Sequence, residues 1–434
     1  MMNFSNPIMR RNLHIAFVLI TLILGFHEIK ATNSPRDGIF YSFNGDHTLR
    51  VVAGDWSIYT PYQGNISIPA TVTIDDEIYE VTSIADFAFN GCNITSVSIP
   101  STVIYIGNSS FQKTQLTSVF IPGSVTSLGE LAFANCLSLT YVMLPESLTR
   151  IGSGAFSECT SLHSISLPNS LKILESGAFS YCTALTTISF PNSLKSINSS
   201  VCEGCTSLTS VFIPNSINQI GNCAFGFCSS LTSIEIPPSI ESLGELSFQG
   251  CKSLVSVDPP NSVTNIGAGA FRDCVSLTSF AIPTSLTTIN DMLFFNCTSL
   301  KSITLPDNIK SIGYLSFGYC PALEKVTNYS LVPQELDKES FKYTENAILY
   351  VYKKVIDEYK NSTWAYYFNK ILPIEGEDED AGMESLPANT DSKISVYTID
   401  GFLIMKDCKV EDLKTFNKGI YIIVSGKNSY KISI

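Results

Sequence analysis

The stretch "CTSLTSVFIPNSINQIGNCAFGFC", from Cys205 to Cys228, recurs in close variants along most of the chain. Three residue types mark the recurrence, and each keeps a fixed place in a unit of 23 residues, with a single first spacing of 22 between two prolines. Three columns in phase exclude coincidence and predict an internally repeated fold. The columns are Pro100, Pro122, Pro145, Pro168, Pro191, Pro214, Pro237, Pro260, Pro283 and Pro306; Phe133, Phe156, Phe179, Phe225, Phe248, Phe271, Phe294 and Phe317; and Cys136, Cys159, Cys182, Cys205, Cys228, Cys251, Cys274, Cys297 and Cys320.

The repeat unit has the form L-x-x-I-x-I-P-x-S-V-x-x-I-G-x-x-A-F-x-x-C. The I-x-I step is the period-two signal of a strand, and the proline ends that strand because it has no N–H to donate. The V-x-x-I-G step predicts a second short extended segment closed by a turn, and A-F then turns the chain back towards the core. One unit cannot bury its own apolar face, so successive units must stack. The sequence therefore predicts a β-rich solenoid with coils of 23 residues.

The composition fits a chain with a large core and a neutral polar surface. Hydrophobic residues make up 44% of the 434 positions and charged residues only 15%, which argues against disorder over most of the length. The formal net charge is −12. Nucleic acid is therefore an unsuitable partner, because phosphate binding relies on Lys and Arg.

The N-terminal residues 1–31 have the order of a secretory signal peptide. Arg10 and Arg11 precede an apolar run from Leu13 to Phe26, which is too short to span a bilayer comfortably. An uncleaved membrane anchor is the alternative. We expect cleavage, and hence no transmembrane span in the mature chain.

Residues 32–68 are predicted to form a β cap over the first coil. Such a cap is needed because an open solenoid end would expose apolar core and unpaired strand edges. The first unit is also longer than the others by the segment "TIDDEIYEV", Thr73 to Val81. Two extended pieces around Asp75-Asp76 predict a hairpin excursion in that segment.

The consensus repeated in Leu231–Cys251 and in Leu277–Cys297 resembles the BspA-type leucine-rich repeat of bacterial surface proteins. The resemblance covers about residues 37–374. It implies a leucine-rich repeat solenoid, predicted here over residues 69–346, and export to a bacterial surface. It also implies a binding or adhesion role without naming a ligand.

The period ends after Cys320, and residues 347–374 are predicted to close the last coil. Ala347 to Tyr352 predicts a strand. Lys353 to Phe368 predicts an amphipathic helix that presents Val355, Ile356, Tyr359 and Trp364. Residues 375–391, "EGEDEDAGMESLPANTD", are acidic and almost free of apolar residues, which predicts a flexible linker.

Residues 392–434 predict a small β module of about three strands, with turns at Asp400-Gly401 and Gly426-Lys427. This segment resembles the C-terminal sorting module of the type IX secretion system, whose two recognisable steps match Val396, Tyr397 and Gly401, and Gly419, Ile420 and Tyr421. It lacks the earlier strand with the usual Asn-Pro. A β module without a sorting role is the alternative. The sorting interpretation implies the outer surface of a Gram-negative bacterium.

The cysteines are predicted to be free thiols although the chain is expected to be exported. In a stacked solenoid the column cysteines point the same way, and parallel Cβ vectors fit the dihedral of a disulfide badly. Cys202-x-x-Cys205 resembles a redox motif, but Cys202 falls in the phenylalanine column and is interpreted as a core substitution. No cofactor, metal site or catalytic constellation is predicted, and the chain is not expected to be an enzyme.

The outward positions of L-x-x-I-x-I are where the units differ from one another. Most are Ser or Thr, and aligned columns of them predict a flat face of hydroxyl groups. Seven exceptions are the candidate partner-binding residues, since exposed aromatic side chains suit a partner protein or a sugar ring. They are Phe120, Tyr141, Met143, His163, Phe212, Glu235 and Asp258.

Two functions from different classes fit these features. The first is a secreted or cell-surface binding and adhesion protein whose sheet face takes a protein or glycan ligand from a host or microbial surface. The second is a structural spacer or assembly component of the cell surface with no ligand of its own.

Overall fold

The computed structural model describes residues 35–54, 62–374, 394–398, 403–409, 412–413, 420–425 and 428–433. The predicted signal peptide, the predicted acidic linker and the two predicted turns of the C-terminal module lie outside these residues. The repeated units form the expected β-solenoid, and each coil passes through three segments. We call the stacked L-x-x-I-x-I segments the front face, the stacked V-x-x-I-G segments the lateral face, and the stacked A-F-x-x-C segments the turn face.

The front face is a series of short parallel ladders in which like positions of the repeat pair. Val119 lies opposite Val142, and Ile188 lies opposite Val211. The alternation places the apolar residues inward and the intervening residues outward. Its strands are Gln63–Ser67, Asn93–Ser98, Ser118–Phe120, Tyr141–Met143, Thr187–Ser189, Ser210–Phe212, Ser256–Val257, Ser279–Phe280, Ser302–Leu305, Lys325–Asn328, Ile348–Val351 and Ile371–Pro373.

The lateral face repeats the same parallel pairing with strands of two residues. The second residue of each strand is the inward isoleucine or leucine of V-x-x-I-G, so Ile220 lies opposite Leu243. Its strands are Tyr105–Ile106, Ser127–Leu128, Arg150–Ile151, Ile173–Leu174, Ser196–Ile197, Gln219–Ile220, Ser242–Leu243, Asn265–Ile266, Thr288–Ile289, Ser311–Ile312 and Glu335–Leu336.

The phenylalanine column forms a stack of rings along the core. Phe248 lies 5.6 Å from Phe225 and 5.3 Å from Phe271 between ring centroids, and the rings are nearly parallel. The column is interrupted at Cys202, which is fully buried. Phe190, from the front face of the coil that contains Cys202, reaches to within 6.3 Å of the Phe225 ring. An enlarged neighbour thus fills the space that the smaller Cys202 leaves, which supports its interpretation as a core substitution.

The cysteine column has a hydrogen-bonding role that the sequence did not reveal. All thirteen cysteines are free, as predicted. Each column thiol donates to a backbone carbonyl of the preceding coil, for example Cys251 Sγ to the oxygen of Phe225 at 3.3 Å and Cys274 Sγ to that of Phe248 at 3.3 Å. The thiol therefore satisfies a buried acceptor in the turn while remaining small enough to stack.

Alkaline pH is expected to destabilise the fold through these thiols. Burial raises the pKa of Cys136 to about 11 and that of Cys274 to about 12, whereas a thiol in the unfolded chain ionises near its ordinary value of 9.0. The unfolded state therefore loses protons first, and the free energy of unfolding falls as the pH rises above about 9. Cys274→Ala should make that fall shallower by about 1.4 kcal/mol per pH unit between about pH 9 and pH 12.

Urea unfolding at a series of pH values from about 8 to 10.5 measures this slope. Leu277→Ala is the control, since it removes a buried side chain without removing a titrating group and should lower stability equally at every pH. An unchanged slope in Cys274→Ala would contradict the assignment.

Close stacking of the coils depends on the glycine of the I-G step. A Cβ atom on Gly244 would lie 2.5 Å from the backbone nitrogen of Asn222 and 2.5 Å from the carbonyl carbon of Gly221. Hydroxyl groups complete the contact, because the serine of P-x-S donates to the preceding coil, as from Ser239 Oγ to the oxygen of Ile217 at 2.6 Å. The repetition of small and hydroxyl residues therefore follows from the contact between backbones.

The N-terminal end contains two antiparallel hairpins, one within the predicted β cap and one at the predicted excursion of the first unit. Phe40–Phe43 pairs antiparallel with Thr48–Val52, and Thr71–Ile74 with Glu77–Ile84. Asp75 and Asp76 form the tight turn of the second hairpin, both with positive φ. Thr48–Val52 also pairs in parallel with Glu77–Ile84 and so joins the cap to the first coil.

The C-terminal cap has the predicted strand, but the prediction of one amphipathic helix over Lys353–Phe368 is wrong in extent. The helix covers only Ile356–Lys360, between single 3-10 turns at Lys353–Val355 and Thr363–Tyr366. The helix ends at Lys360. Ser362 then caps the following 3-10 turn, because its hydroxyl oxygen accepts a hydrogen bond from the backbone nitrogen of Trp364.

Trp364 closes the solenoid core. Its side chain is fully buried, and its ring lies 5.5 Å from that of Phe341, which continues the phenylalanine stack. The indole nitrogen donates to the backbone oxygen of Gln334 at 3.1 Å, so the polar end of the ring is satisfied. After the 3-10 turns the chain adds a last front-face strand, Ile371–Pro373.

The C-terminal module is a four-stranded antiparallel sheet, one strand more than the sequence indicated. Its strands are Ile394–Thr398, Leu403–Cys408, Ile420–Ser425 and Asn428–Ser433, and the first lies between the second and third. Val396 and Ile423 are buried in its own small core. Among the residues described for the chain, no helix has the length and apolar character needed to cross a bilayer.

Candidate functional site

Outward residues of the front face form three columns, because parallel pairing keeps the repeat in register. In the coil Leu208–Pro214 these positions are Thr209, Ser210 and Phe212, all exposed. The first two columns hold mostly hydroxyl residues, and the third holds most of the candidate residues named above. Because the strands pair in parallel register, a residue that differs between units lies beside the equivalent residues of the neighbouring coils on the front face.

The two hydroxyl columns differ in what their side chains do. In the first column Thr140 Oγ1 donates to the oxygen of Thr117 at 3.0 Å, and Thr209 Oγ1 donates to that of Thr186 at 3.2 Å. These threonines contribute to coil stacking. The exposed serines of the second column make no such hydrogen bond, so their hydroxyl groups are free to donate to a ligand; they are Ser118, Ser164, Ser210, Ser233, Ser256 and Ser279.

Phe120, Tyr141 and Met143 come together, and we call them the aromatic patch. Phe120 lies directly opposite Met143 in the parallel pair, and Tyr141 is two residues before Met143 on the same face. Their exposed fractions are 59%, 49% and 43%, which is high for apolar side chains. No side chain of the third column covers them, since the next residues along it are Ser166 and Ser189.

The other four candidate residues are exposed but lie apart from the patch. His163 is in the first column of the coil that follows Tyr141. Phe212 lies opposite Ser189, three coils after Met143 or about 14 Å at the usual strand spacing, and is 60% exposed. Glu235 and Asp258 follow Phe212 in the third column, in coils that are joined by a bridge between Ser233 and Ser256.

An aromatic cluster on the turn face was not predicted. Phe295, Tyr319 and Tyr343 come from successive coils, and neighbouring ring centroids are 5.1 and 4.5 Å apart. Arg272 lies over Phe295 at 5.0 Å, and Lys342 over Tyr343 at 5.4 Å. Reading the residue before each column cysteine would have found Tyr319, since Tyr319-Cys320 repeats Tyr181-Cys182. Tyr343 would have been missed, because it precedes Thr344, beyond the last column cysteine.

A second unpredicted feature lies at the C-terminal end of the front face. Lys301, Lys325 and Lys370 are exposed there, and Lys325 Nζ lies 4.9 Å from the centroid of the Tyr350 ring. The register of this end could not be predicted, because the 23-residue period stops after Cys320.

The described residues contain no group of three or more His, Cys, Asp or Glu side chains that could hold a metal ion. Burial raises the pKa of Cys251 and of Cys297 well above the ordinary range, which disfavours the reactive thiolate. The exposed columns of the front face offer surface for noncovalent contacts.

The profile of the BspA type leucine rich repeat region matches the chain in six copies, over residues 105–231 and 220–348. These residues make up more than half of the sequence. No curated protein sequence matches the chain.

Several solved structures are similar to this chain. A leucine-rich repeat protein from Bacteroides ovatus is 27% identical, with 79% of this chain and 100% of that chain covered and a TM-score of 0.60. A leucine rich cell surface protein from Faecalibacterium prausnitzii is 26% identical, with 73% and 93% covered and a TM-score of 0.45. The pneumococcal vaccine antigen PcpA is 20% identical, with 80% and 99% covered and a TM-score of 0.47.

Proposed function

The chain belongs to the BspA-type leucine-rich repeat family of bacterial surface proteins, and from this we propose that it is a secreted or cell-surface adhesion protein that binds its partner through the front face. The aromatic patch is the observation that carries the proposal. Three large apolar side chains are exposed side by side on a face whose other positions are mostly small and polar. Exposed apolar clusters of this kind are sites of association.

Both protein and glycan partners suit the chemistry of this surface. Aromatic rings pack against apolar protein surface or against the C–H face of a sugar, and the neighbouring serine hydroxyls can donate and accept hydrogen bonds. Phe212 with Glu235 and Asp258 supplies a second, partly acidic contact region on the same face. The proposed location is the outer surface of a Gram-negative bacterium, reached after cleavage of the N-terminal signal.

The C-terminal module is proposed to serve as the sorting signal of type IX secretion. Its matching positions, Val396 and Tyr397, lie on the central strand Ile394–Thr398 of the sheet. Val396 is fully buried, so an apolar residue at that position also stabilises the small core of the module.

Removing the aromatic patch is expected to weaken partner binding strongly. The chain from residue 32 onward would be screened against matrix proteins, mucins and glycans, and saturable ligands would then be titrated with Phe120→Ala, Tyr141→Ala and Phe212→Ala. We expect loss of affinity by about tenfold or more for the two patch variants, because truncation of a central aromatic contact has effects of this size.

Tyr319→Ala is the matched control, since Tyr319 is 42% exposed but lies on the turn face. It should bind as the parent does. Absence of any saturable ligand in the screen would favour the alternative, a structural spacer, which is supported by the use of the front-face threonines in coil stacking.

A further inference from the structure

The C-terminal end of the front face differs in charge from the remainder of that face. Lys301, Lys325 and Lys370 are exposed there, whereas the charged outward residues of the preceding coils are Glu235 and Asp258. This local concentration of positive charge occurs on a chain whose formal net charge is −12. None of the three lysines forms an ion pair with a carboxylate of the described residues.

The register of the last strands aligns two of these lysines along the solenoid. Lys325 lies opposite Ile348, and Leu349 lies opposite Ile371, so Lys370 continues the column that contains Lys325 and Ile348. Lys325 and Lys370 are therefore two coils apart, which is about 10 Å at the usual spacing of strands. Lys301 lies on the preceding coil, and its backbone oxygen accepts the hydrogen bond from the nitrogen of Lys325.

An aromatic side chain lies within this group of charges. Tyr350 points outward from the strand Ile348–Val351 and is half-buried under Lys325, whose Nζ is 4.9 Å from its ring centroid. This cation–π contact holds the lysine over the sheet. The cluster continues at the corner of the coil, where Lys354 lies 5.9 Å from the ring of Tyr352.

Among the described outward residues of these coils, one carboxylate opposes this charge. Glu324 is exposed in the coil that follows Lys301 and in the same outward column. Three lysines against one glutamate leave the surface with an excess of positive charge. Such an excess attracts anions and is screened by salt.

We propose that Lys301, Lys325, Lys370 and Tyr350 form a binding surface for an anionic polysaccharide, and we call it the basic end. Lysine ammonium groups bind sulfate or carboxylate groups as point charges, and Tyr350 positions the ammonium group of Lys325 through the cation–π contact. Two coil spacings correspond to about the length of a disaccharide, so charges on alternate sugars meet Lys325 and Lys370. The polymer runs along the solenoid axis, and the free hydroxyl of Ser302 lies on the same path.

An acidic peptide fits this surface less well. A peptide that binds to a sheet usually pairs with an exposed strand edge, but Lys325–Asn328 and Ile348–Val351 are paired on both sides. The edge strand Ile371–Pro373 has only three residues, and one of them is a proline, which has no N–H to donate. The basic end is independent of the aromatic patch, since seven coils separate Met143 from Lys301 along the repeat.

Binding of the chain from residue 32 onward to immobilised heparin and to polygalacturonate tests the proposal, with neutral dextran and poly-glutamate as comparison probes. The variant K301Q/K325Q/K370Q should lose about tenfold or more in affinity for at least one anionic polysaccharide, because charge-assisted contacts are lost. Affinity of the parent should fall as salt is raised. Heparin and polygalacturonate separate sulfate from carboxylate recognition.

The matched control is K172Q/K195Q/K310Q. It removes the same charge from three exposed lysines that share one column of the lateral face, and it should bind as the parent does.

Equal losses of affinity in both triple variants would mean that the net charge of the chain explains the binding, and the proposed site would then be wrong. Equal binding of poly-glutamate, equal binding of dextran, or full affinity in the front-face variant would also overturn it. Phe120→Ala should leave polysaccharide binding unchanged, so this proposal and the proposed function fail separately.

Discussion

Replacing Phe248 with alanine is expected to lower the free energy of unfolding by about 4 kcal/mol, among the largest effects of a single substitution in this chain. The side chain is fully buried, and its ring packs between those of Phe225 and Phe271. Truncation removes the transfer free energy of the ring and leaves a cavity that two rigid coils cannot close. Chemical denaturation monitored by circular dichroism measures the change.

Phe212→Ala is the matched control for this experiment. It removes the same side chain from a position that is 60% exposed on the front face and should change stability by less than about 0.5 kcal/mol. A similar loss in both variants would contradict the role assigned to the stack. Because each coil contacts only its neighbours, Phe248→Ala is also expected to broaden the transition as the two halves unfold less cooperatively.

The second large effect is expected from Gly244→Ala, with a loss of about 3 kcal/mol. The backbone of Gly244 has no positive φ, so the cost comes from contact alone. The added Cβ would meet backbone atoms of Gly221 and Asn222 at 2.5 Å, and backbone cannot move aside as a flexible side chain does. Thermal and urea unfolding of the variant measure the loss.

Gly123→Ala is the control for Gly244→Ala. Gly123 is exposed, has no positive φ, and a Cβ built there would have no heavy atom within 4 Å. It should be neutral or slightly stabilising, since alanine restricts the unfolded chain. Equal effects of the two substitutions would show that helix or turn propensity, and not coil contact, determines the result.

At the two ends of the solenoid, local sequence patterns predicted one element correctly and one with the wrong extent. The hairpin at Asp75-Asp76 was predicted and confirmed, because its paired residues and the turn lie within ten adjacent residues, from Thr71 to Glu80. The helix over Lys353–Phe368 was predicted from its apolar spacing and is wrong in extent. Its apolar residues do pack inward as expected, but Ser362 offers the backbone a competing cap that breaks the helix.

For the candidate binding residues, exposure could be predicted from the sequence, but contact between coils could not. Exposure of Phe120, Tyr141 and Phe212 follows from alternation within one strand, and the structure shows all three exposed. Direct contact between the Phe120 and Met143 positions required the register of two coils. The basic end was missed because Lys370 joins the column of Lys325 only through a strand that lies outside the repeat.

The 23-residue period by itself determined the solenoid, its inward residues and its outward columns, because each coil must bury the same apolar positions against the next. Only the tertiary structure decided what the remaining repeated residues do. The column cysteines donate hydrogen bonds to carbonyls of the preceding coil, and the I-G glycines admit its backbone. These roles depend on atoms 22 to 26 residues away in the chain, whose distances are set only when the coils stack in register.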